Sequence, residues 1–313
     1  MHRRDFVRTM AGGAIVAACG GAPALAVEGP ALEPWQLRRI GMTTVCLRDR
    51  IPTNPNQPIP LVSPPLPMLE APSFIRDTFG LTNIEVWNFQ FADDSPAYCR
   101  SLRAAAERAG CRIFNLQLDG DYDLSSKDDA VRERSITFVK DWMQRAALIG
   151  APMMRANIDS GNPTDPFDPV ALAPTIRLLG DYGRTIGVKL LIENHLGHSK
   201  HIANVAKLLS LVKHENVGGL LDWGNSDAPD PRRRIADFSQ MFPYLSLVSA
   251  KGLHFDAAGQ HVEYPIRPIV LATERSGYGG IYSVELYTES DFPDPLVAVK
   301  SLVTTIAAAL TRP

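Results

Sequence analysis

Two patterns of apolar and polar positions alternate along the chain. Short apolar runs rich in β-branched residues, typical of buried strands, are separated by longer stretches in which apolar residues recur every three or four positions, typical of amphipathic helices. The predicted strands are residues 40–47, 83–88, 112–118, 153–158, 189–193, 218–222, 245–251 and 281–286. The predicted helices include residues 98–109, 130–148, 170–186, 201–212, 266–276 and 295–310.

Eight strands separated by helices of ten or more residues favour parallel pairing with right-handed crossovers. Eight such units close into an α/β barrel, so we predict a (β/α)8 TIM barrel. An open doubly wound sheet is the alternative, but the first unit lacks the GxGxxG turn of dinucleotide-binding sheets. Residues 51–67 are too rich in proline for a helix or a central strand, and they predict an irregular loop after the first strand.

The N-terminal segment differs in character from the rest of the chain. Arg3 and Arg4 precede a weakly apolar run of small residues, which predicts an export leader of the twin-arginine type and a periplasmic protein. Ala-Leu-Ala at residues 24–26 fits cleavage by a signal peptidase. A competing signal, Val-Ala-Ala-Cys ending at Cys19, resembles a lipoprotein box, and lipidation there would anchor the protein to a membrane. We therefore expect a leader over residues 1–26 and one barrel domain over residues 27–313.

Composition narrows the class of protein. The chain has 313 residues with 45% hydrophobic and 21% charged residues, which are ordinary values for a globular protein. A net charge of −2 argues against a nucleic-acid partner, which would select for a basic face. Outside the leader, Cys46, Cys99 and Cys111 form an odd set without CxxC spacing, so we expect buried free thiols rather than a disulfide framework or a zinc cluster.

Acidic residues stand where three of the predicted strands end. Glu193, Asp222 and Glu285 each follow an apolar run, and in a barrel the carboxyl ends of all strands converge on one mouth. Three converging carboxylates repel one another, and a divalent cation or protonation relieves that repulsion. The alternative is that each acid caps the next helix or pairs with a lysine. The three together favour a functional site.

Other side chains are expected at the same mouth. Lys251, at the end of the seventh strand, would neutralise charge, polarise a carbonyl or act as a base, with a plain salt bridge as the alternative. His195 follows Glu193 by two positions and would bind a sugar hydroxyl or transfer a proton. The remaining candidates for contact with a polyhydroxylated substrate are Trp87, Arg155 and Asn225.

Three segments carry a resemblance to a known family: residues 187–195, 219–225 and 276–285. They resemble the xylose isomerase-like barrel superfamily of sugar phosphate isomerases and epimerases, which includes inosose dehydratase and ketose 3-epimerases. In that family a glutamate on strand five, an aspartate on six, a histidine on seven and a glutamate on eight hold one divalent metal. The resemblance therefore implies metal-binding roles for Glu193, Asp222 and Glu285.

The seventh strand departs from the family pattern. Where the family has His-x-Lys, this chain has Ser249, Ala250 and Lys251. Serine is a poor ligand for a transition metal, but three carboxylates with water suit magnesium or manganese better than zinc. His195, His198 or His254 would alternatively complete the set of ligands. A metal-free barrel that binds a sugar with the same mouth is the other alternative.

The resemblance implies an isomerase or epimerase that removes a proton next to the carbonyl of a sugar or cyclitol. In this reading Glu193 and Glu285 serve as base and acid, Asp222 as metal ligand, and Lys251 assists the substrate oxygen. An exported lyase or hydrolase acting on 3-keto-glycosides would use the same proton abstraction. Phosphodiester cleavage, known from an endonuclease of the superfamily, needs three metals and many histidines. This chain has only seven histidines, which argues against that reaction. A periplasmic sugar-binding barrel without catalysis is the remaining alternative.

Overall fold

A computed structural model describes residues 32–310 apart from 55, 58, 162, 164, 227, 229 and 287–293. The predicted export leader, including Cys19, lies outside the described residues. In the part of the chain that is described, no helix has the length and apolar character needed to cross a membrane.

Eight parallel strands pair in sequence order and close into a barrel, which confirms the predicted TIM-barrel fold. The strands are β1 (Ile40–Thr43), β2 (Asn83–Trp87), β3 (Arg112–Leu118), β4 (Met153–Ala156), β5 (Lys189–Glu193), β6 (Val217–Asp222), β7 (Leu245–Gly252) and β8 (Ile281–Leu286). The helices are α1 (Pro34–Leu37), α2 (Ala71–Phe79), α3 (Pro96–Arg108), α4 (Asp129–Leu148), α5 (Pro169–Ile186), α6 (Ile202–Val212), α7 (Pro231–Ser239), α8 (Ile266–Arg275) and α9 (Pro295–Ala309).

Local sequence signals fix where the long helices begin. Ser95 precedes α3, and its side chain accepts a hydrogen bond from the backbone of the first turn. Asp128 and Asp168 do the same for α4 and α5. Each cap satisfies backbone N–H groups that have no partner within the helix. In α3 and α5 a proline stands in the first turn, where its missing N–H costs nothing.

Two predicted strands are at least two residues longer in the sequence pattern than in the structure. The strand expected over 40–47 ends at Thr43, whose side chain accepts a hydrogen bond from the Val45 N–H and turns the chain into a 3-10 helix, Thr44–Leu47. The strand expected over 153–158 ends at Ala156. In both cases apolar residues, Val45 and Ile158 among them, occur beyond the last ladder partner, so hydrophobicity overstates the length of the strand.

Three consecutive arginines, residues 232–234, lie in the first turns of α7, and the third of them, Arg234, is buried. Its guanidinium donates to the backbone oxygen of Trp223 at 2.8 Å and lies 4.4 Å from the ring centroid of Tyr264. The three cysteines of the described chain are buried free thiols, as predicted.

The inside of the barrel is divided into an apolar floor and a polar mouth. The floor consists of Phe114, Leu191, Leu220, Leu247 and Ile281, which form a separate buried cluster. Successive inward-facing residues of a strand are two positions apart. The residues two positions beyond the floor leucines of β5 and β6 are therefore Glu193 and Asp222, and they project into the barrel.

Candidate active site

Two buried cations organise the polar mouth, and each contacts two carboxylates. The first is Arg155 of β4. Its Nη1 lies 2.6 Å from Asp119 Oδ1, and its Nε lies 2.8 Å from Glu193 Oε2. The contact with Glu193 is an ion pair, and neither of these two atoms forms a hydrogen bond with any described residue. Glu193 is therefore held less tightly than a fully hydrogen-bonded carboxylate.

The second cation is Lys251 of β7. Its Nζ lies 3.1 Å from Asp222 Oδ2 and 3.0 Å from Glu285 Oε1. It also donates to Asn225 Oδ1 at 3.2 Å. Paired strands place these groups together, because Lys251 lies opposite Glu285 in the ladder between β7 and β8.

Glu285 accepts hydrogen bonds on both oxygens. Besides Lys251, its donors are Gln117 Nε2 at 3.0 Å and Ser249 Oγ at 3.1 Å, both to Oε2. The Ser249 hydroxyl thus donates its proton to Glu285.

Asp222 is held from the backbone. Its Oδ1 accepts the N–H groups of Gly224 and Asn225 at 2.7 and 3.2 Å. The Asn225 side chain donates to Asp222 Oδ2 at 2.9 Å, and the Asn194 side chain exchanges two hydrogen bonds with the Asp222 backbone. This turn fixes the direction in which the aspartate faces.

The two catalytic candidates differ in the ease with which they ionise. Burial raises the pKa of Glu193 well above its ordinary value, and the nearby charges of Asp222 and Glu285 add to the effect against Arg155. Burial opposes ionisation of Glu285 as well, but Lys251, through its charge and its hydrogen bond, holds the pKa of Glu285 below the ordinary value. Glu193 is therefore favoured as a neutral acid and Glu285 as a carboxylate.

The cations stay charged. Burial works to lower the pKa of Lys251, but Asp222, Glu285 and Glu193 raise it above its ordinary value. Burial would also lower the pKa of Arg155, but Asp119 and Glu193 raise it above its ordinary value. The mouth therefore contains two permanent positive charges close to four carboxyl groups.

His195 lies at the edge of the same network. Burial, with the charge of Arg155, lowers the pKa of His195 to about 4, so the ring is neutral near pH 7. Its Nδ1 is buried and has no hydrogen-bond partner among the described residues. A neutral imidazole with an unsatisfied nitrogen suits a hydroxyl of a bound ligand.

The structure brings the predicted catalytic, metal-binding and substrate-binding residues into this region, but not His254, an alternative ligand, which pairs with Glu263 and is 71% exposed. Glu193, Asp222, Glu285, Lys251, Arg155 and Asn225 form direct contacts with one another as described above. Trp87 joins through its indole N–H, which donates to Asp119 Oδ2 at 2.7 Å. Their catalytic and binding roles stay predictions.

Sequence reasoning missed Asp119, which follows β3. Its carboxylate accepts hydrogen bonds from Arg155, Trp87 and Asn157, the last at 3.1 Å. Asp119 follows an apolar strand as the three predicted acids do, so the same rule of an acid at a strand end would have found it. Sequence reasoning also missed Gln117, because nothing in the sequence indicates that its side chain reaches Glu285 on β8.

The donor groups do not fit a divalent metal well. A metal would need oxygens of Asp222 and Glu285, but Lys251 already contacts them. The Ser249 hydroxyl donates its proton to Glu285, whereas a histidine at this position would offer a metal the lone pair of its imidazole. Within the described residues, no three histidine, cysteine, aspartate or glutamate side chains are arranged to hold a metal ion. The predicted divalent metal stays a prediction that the geometry does not favour.

Comparison with known proteins agrees with the fold. The profile of the family described as xylose isomerase-like TIM barrel matches residues 76–304. No curated protein sequence matches the chain significantly.

Three solved structures illustrate the similarity. The 3-keto-D-glucoside 4-epimerase from E. coli, in its apo form, superposes with a TM-score of 0.62 at 13% identity, covering 85% of this chain and 98% of that one. D-psicose 3-epimerase with D-tagatose, from Clostridium cellulolyticum H10, gives 0.62 at 15% identity, over 87% and 96%. A xylose isomerase-like barrel from Mycobacterium smegmatis in complex with magnesium gives 0.62 at 18% identity, over 90% and 100%.

Proposed function

Because this chain belongs to the family of xylose isomerase-like TIM barrels, we propose that it is an isomerase or epimerase of sugars. In this proposal it exchanges a proton on a carbon atom next to a carbonyl group. Two buried carboxyl groups in one barrel mouth, with pKa values shifted in opposite directions, support this function best. Enzymes of this reaction class need a base and an acid at the same carbon atom.

The roles follow from the charge states, and they reverse the order expected from the sequence, in which Glu193 was the base and Glu285 the acid. Glu285, favoured as a carboxylate, accepts the proton from carbon, and the electron pair of that C–H bond moves onto the carbonyl to form an enediolate. Glu193, favoured as the neutral acid, returns a proton to carbon on the other face, which inverts the centre. In an acid–base pair of this kind, one carboxyl group is usually protonated and the other ionised, and the environment of each keeps it in that state.

The permanent cations stabilise the enediolate. Negative charge that develops on the carbonyl oxygen is attracted to the ammonium of Lys251, and this attraction is stronger in the transition state than in the ground state. A substrate oxygen that replaces Asn225 Oδ1 would receive the third ammonium proton. Trp87, His195, Arg155 and Asn225 would bind the sugar around this centre.

Keto-sugars are the proposed substrate class. Among the similar structures, one is a 3-keto-D-glucoside 4-epimerase and another is a D-psicose 3-epimerase with D-tagatose. A lyase or hydrolase of 3-keto-glycosides is the second candidate, because removal of the same α-proton can expel the glycosidic oxygen. The similarity to a structure named for a 3-keto-glucoside favours it over other enzyme classes.

The cellular location belongs to the same proposal. We propose export by the twin-arginine route to the periplasm, from Arg3, Arg4 and the small-residue run that follows. Phosphorylated sugars are scarce outside the cytoplasm, so an exported enzyme would act on unphosphorylated keto-sugars or keto-glycosides. Lipidation at Cys19 would add a membrane anchor.

Deuterium exchange tests the function. Protein incubated with a panel of keto-sugars and 3-keto-glycosides in D₂O should incorporate deuterium at the α-carbon, as detected by NMR. Glu193→Gln and Glu285→Gln should each reduce exchange by about 10²-fold or more while retaining the fold, because each removes one proton-transfer group. Glu133→Gln changes an exposed acid of α4 and should leave exchange unaltered.

Retained exchange in either glutamine variant would overturn the assigned roles. Tight sugar binding without exchange in the native protein would instead support the non-catalytic sugar-binding barrel. Exchange accompanied by release of the aglycone would identify the lyase or hydrolase.

A further inference from the structure

The ammonium of Lys251 lies where a cation shared by the strand-end acids would lie. It contacts one oxygen each of Asp222, Glu285 and Asn225, at 3.1, 3.0 and 3.2 Å. Three oxygens thus surround an ammonium group that has three N–H donors. The charge that buried Asp222 and Glu285 require is therefore supplied by the protein itself.

A divalent ion cannot share these oxygens while the Lys251 ammonium lies between them. In the family's His-x-Lys pattern, a lysine that coexists with a metal would have to direct its ammonium elsewhere. Magnesium binds oxygen at about 2.0–2.1 Å, so an ion between Asp222 Oδ2 and Glu285 Oε1 would lie against Lys251 Nζ. Like charges at that separation repel strongly in a buried site. The second oxygen of Glu285 is engaged by Gln117 and Ser249.

Packing holds the lysine in this position. Its side chain is 5% exposed. The stem lies against Gly224, where an added Cβ would come within 2.6 Å of Lys251 Cδ. Tyr264 donates its hydroxyl to the backbone oxygen of Lys251. The lysine would have to leave a packed position to admit a metal.

We propose that Lys251 replaces a divalent metal in this chain, and that proton transfer at the mouth proceeds without one. The catalytic part of this inference rests on the proposed function, whereas the part that concerns metal binding does not. Lys251 acts here as the electrophile toward the enediolate oxygen.

Manganese binding tests the proposal. Native protein titrated with Mn²⁺, with free ion followed by electron paramagnetic resonance, should show no stoichiometric site. Lys251→Met keeps the bulk of the side chain but leaves Asp222 and Glu285 without their cation, so this variant should bind one Mn²⁺ about 100-fold more tightly than the native protein. Lys207→Met removes an exposed lysine of α6 and should behave like the native protein.

Ser249→His tests the proposal with Lys251 unchanged, so its result does not depend on whether Lys251→Met folds. Ser249→His adds an imidazole but retains the ammonium, so it should not gain a manganese site, whereas Ser249→His combined with Lys251→Met should. A stoichiometric metal in native protein as purified, or a manganese site gained by Ser249→His alone, would overturn the proposal.

The catalytic part has its own measurement. Deuterium exchange by native protein should change less than about twofold after treatment with a chelator, because no metal takes part. Exchange that is lost with the chelator and restored by Mn²⁺ would refute the metal-free mechanism. Absence of exchange under all conditions would defeat the proposed function and leave the manganese result standing.

Discussion

Asp119 shows, at the scale of one residue, how a single carboxylate sets the direction of several other side chains. Its carboxylate accepts hydrogen bonds from Arg155 on β4 and from the indole N–H of Trp87 on β2. Burial works against its ionisation, but Arg155 and His195 hold the pKa of Asp119 below its ordinary value. A residue that touches the predicted catalytic groups only through Arg155 is thereby able to position Glu193.

Asp119→Asn should lower stability in a way that depends on pH. Because the pKa is lowered in the folded state, the stabilisation is present above the unfolded carboxyl pKa and is lost as pH falls. At pH 7 the variant should lose about 3 kcal/mol of unfolding free energy, since Arg155 loses a charged partner. The difference from native protein should shrink below about pH 5, as measured by urea unfolding across a pH series. Asp121→Asn, at an exposed acid, is the control, and a difference that stays constant with pH would contradict the charge-based account.

At the scale of elements, strand register and helix caps do most of the positioning. The floor residues Leu191 and Leu220 fix which face of β5 and β6 points inward. A shift of one residue would turn Glu193 and Asp222 out of the barrel. The helices that hold these strands depend on caps that are readable in the sequence, such as Asp128 before α4.

Asp128→Ala should cost about 1 kcal/mol of unfolding free energy. Its carboxylate accepts the backbone N–H groups of Ala130 and Val131 at 2.8 and 3.2 Å, and alanine leaves both without this partner. The midpoint of urea unfolding is the measurement. Asp141→Ala, an exposed acid within the same helix, should cost less, and an equal loss in both variants would show that capping is not the cause.

At the scale of the whole molecule, closure of the barrel decides which distant residues meet. The turn after β6 and the end of β7 approach so closely that Gly224 has room for no side chain beside Lys251. The strand order alone places these ends side by side, but the fit between them depends on the position of every strand around the ring.

Gly224→Ala should displace the Lys251 ammonium, because the added Cβ would lie 2.6 Å from Cδ and 2.9 Å from Cγ of the lysine. Deuterium exchange with a keto-sugar should fall by about 10–100-fold, since small displacements of catalytic groups have effects of that size. Gly279→Ala is the matched control, because nothing lies within 4 Å of its added Cβ. Equal exchange rates in the two variants would argue against a required position for Lys251.

The sequence by itself determined the barrel, its strand order and the convergence of Glu193, Asp222, Glu285 and Lys251. These follow from local patterns, because alternating strands and helices impose parallel crossovers, and parallel strands end at one mouth. The boundaries of β1 and β4 were less accurate, since apolar residues continue beyond the last ladder bond.

Only the tertiary structure decided how charge is shared in the mouth. Arg155 pairs with Asp119 and Glu193, and Lys251 pairs with Asp222 and Glu285. The same acids had suggested a metal site, because a sequence shows that carboxylates converge but does not show which cation lies between them. That choice depends on contacts of a few ångströms between side chains on different strands, which the tilt and closure of the barrel fix.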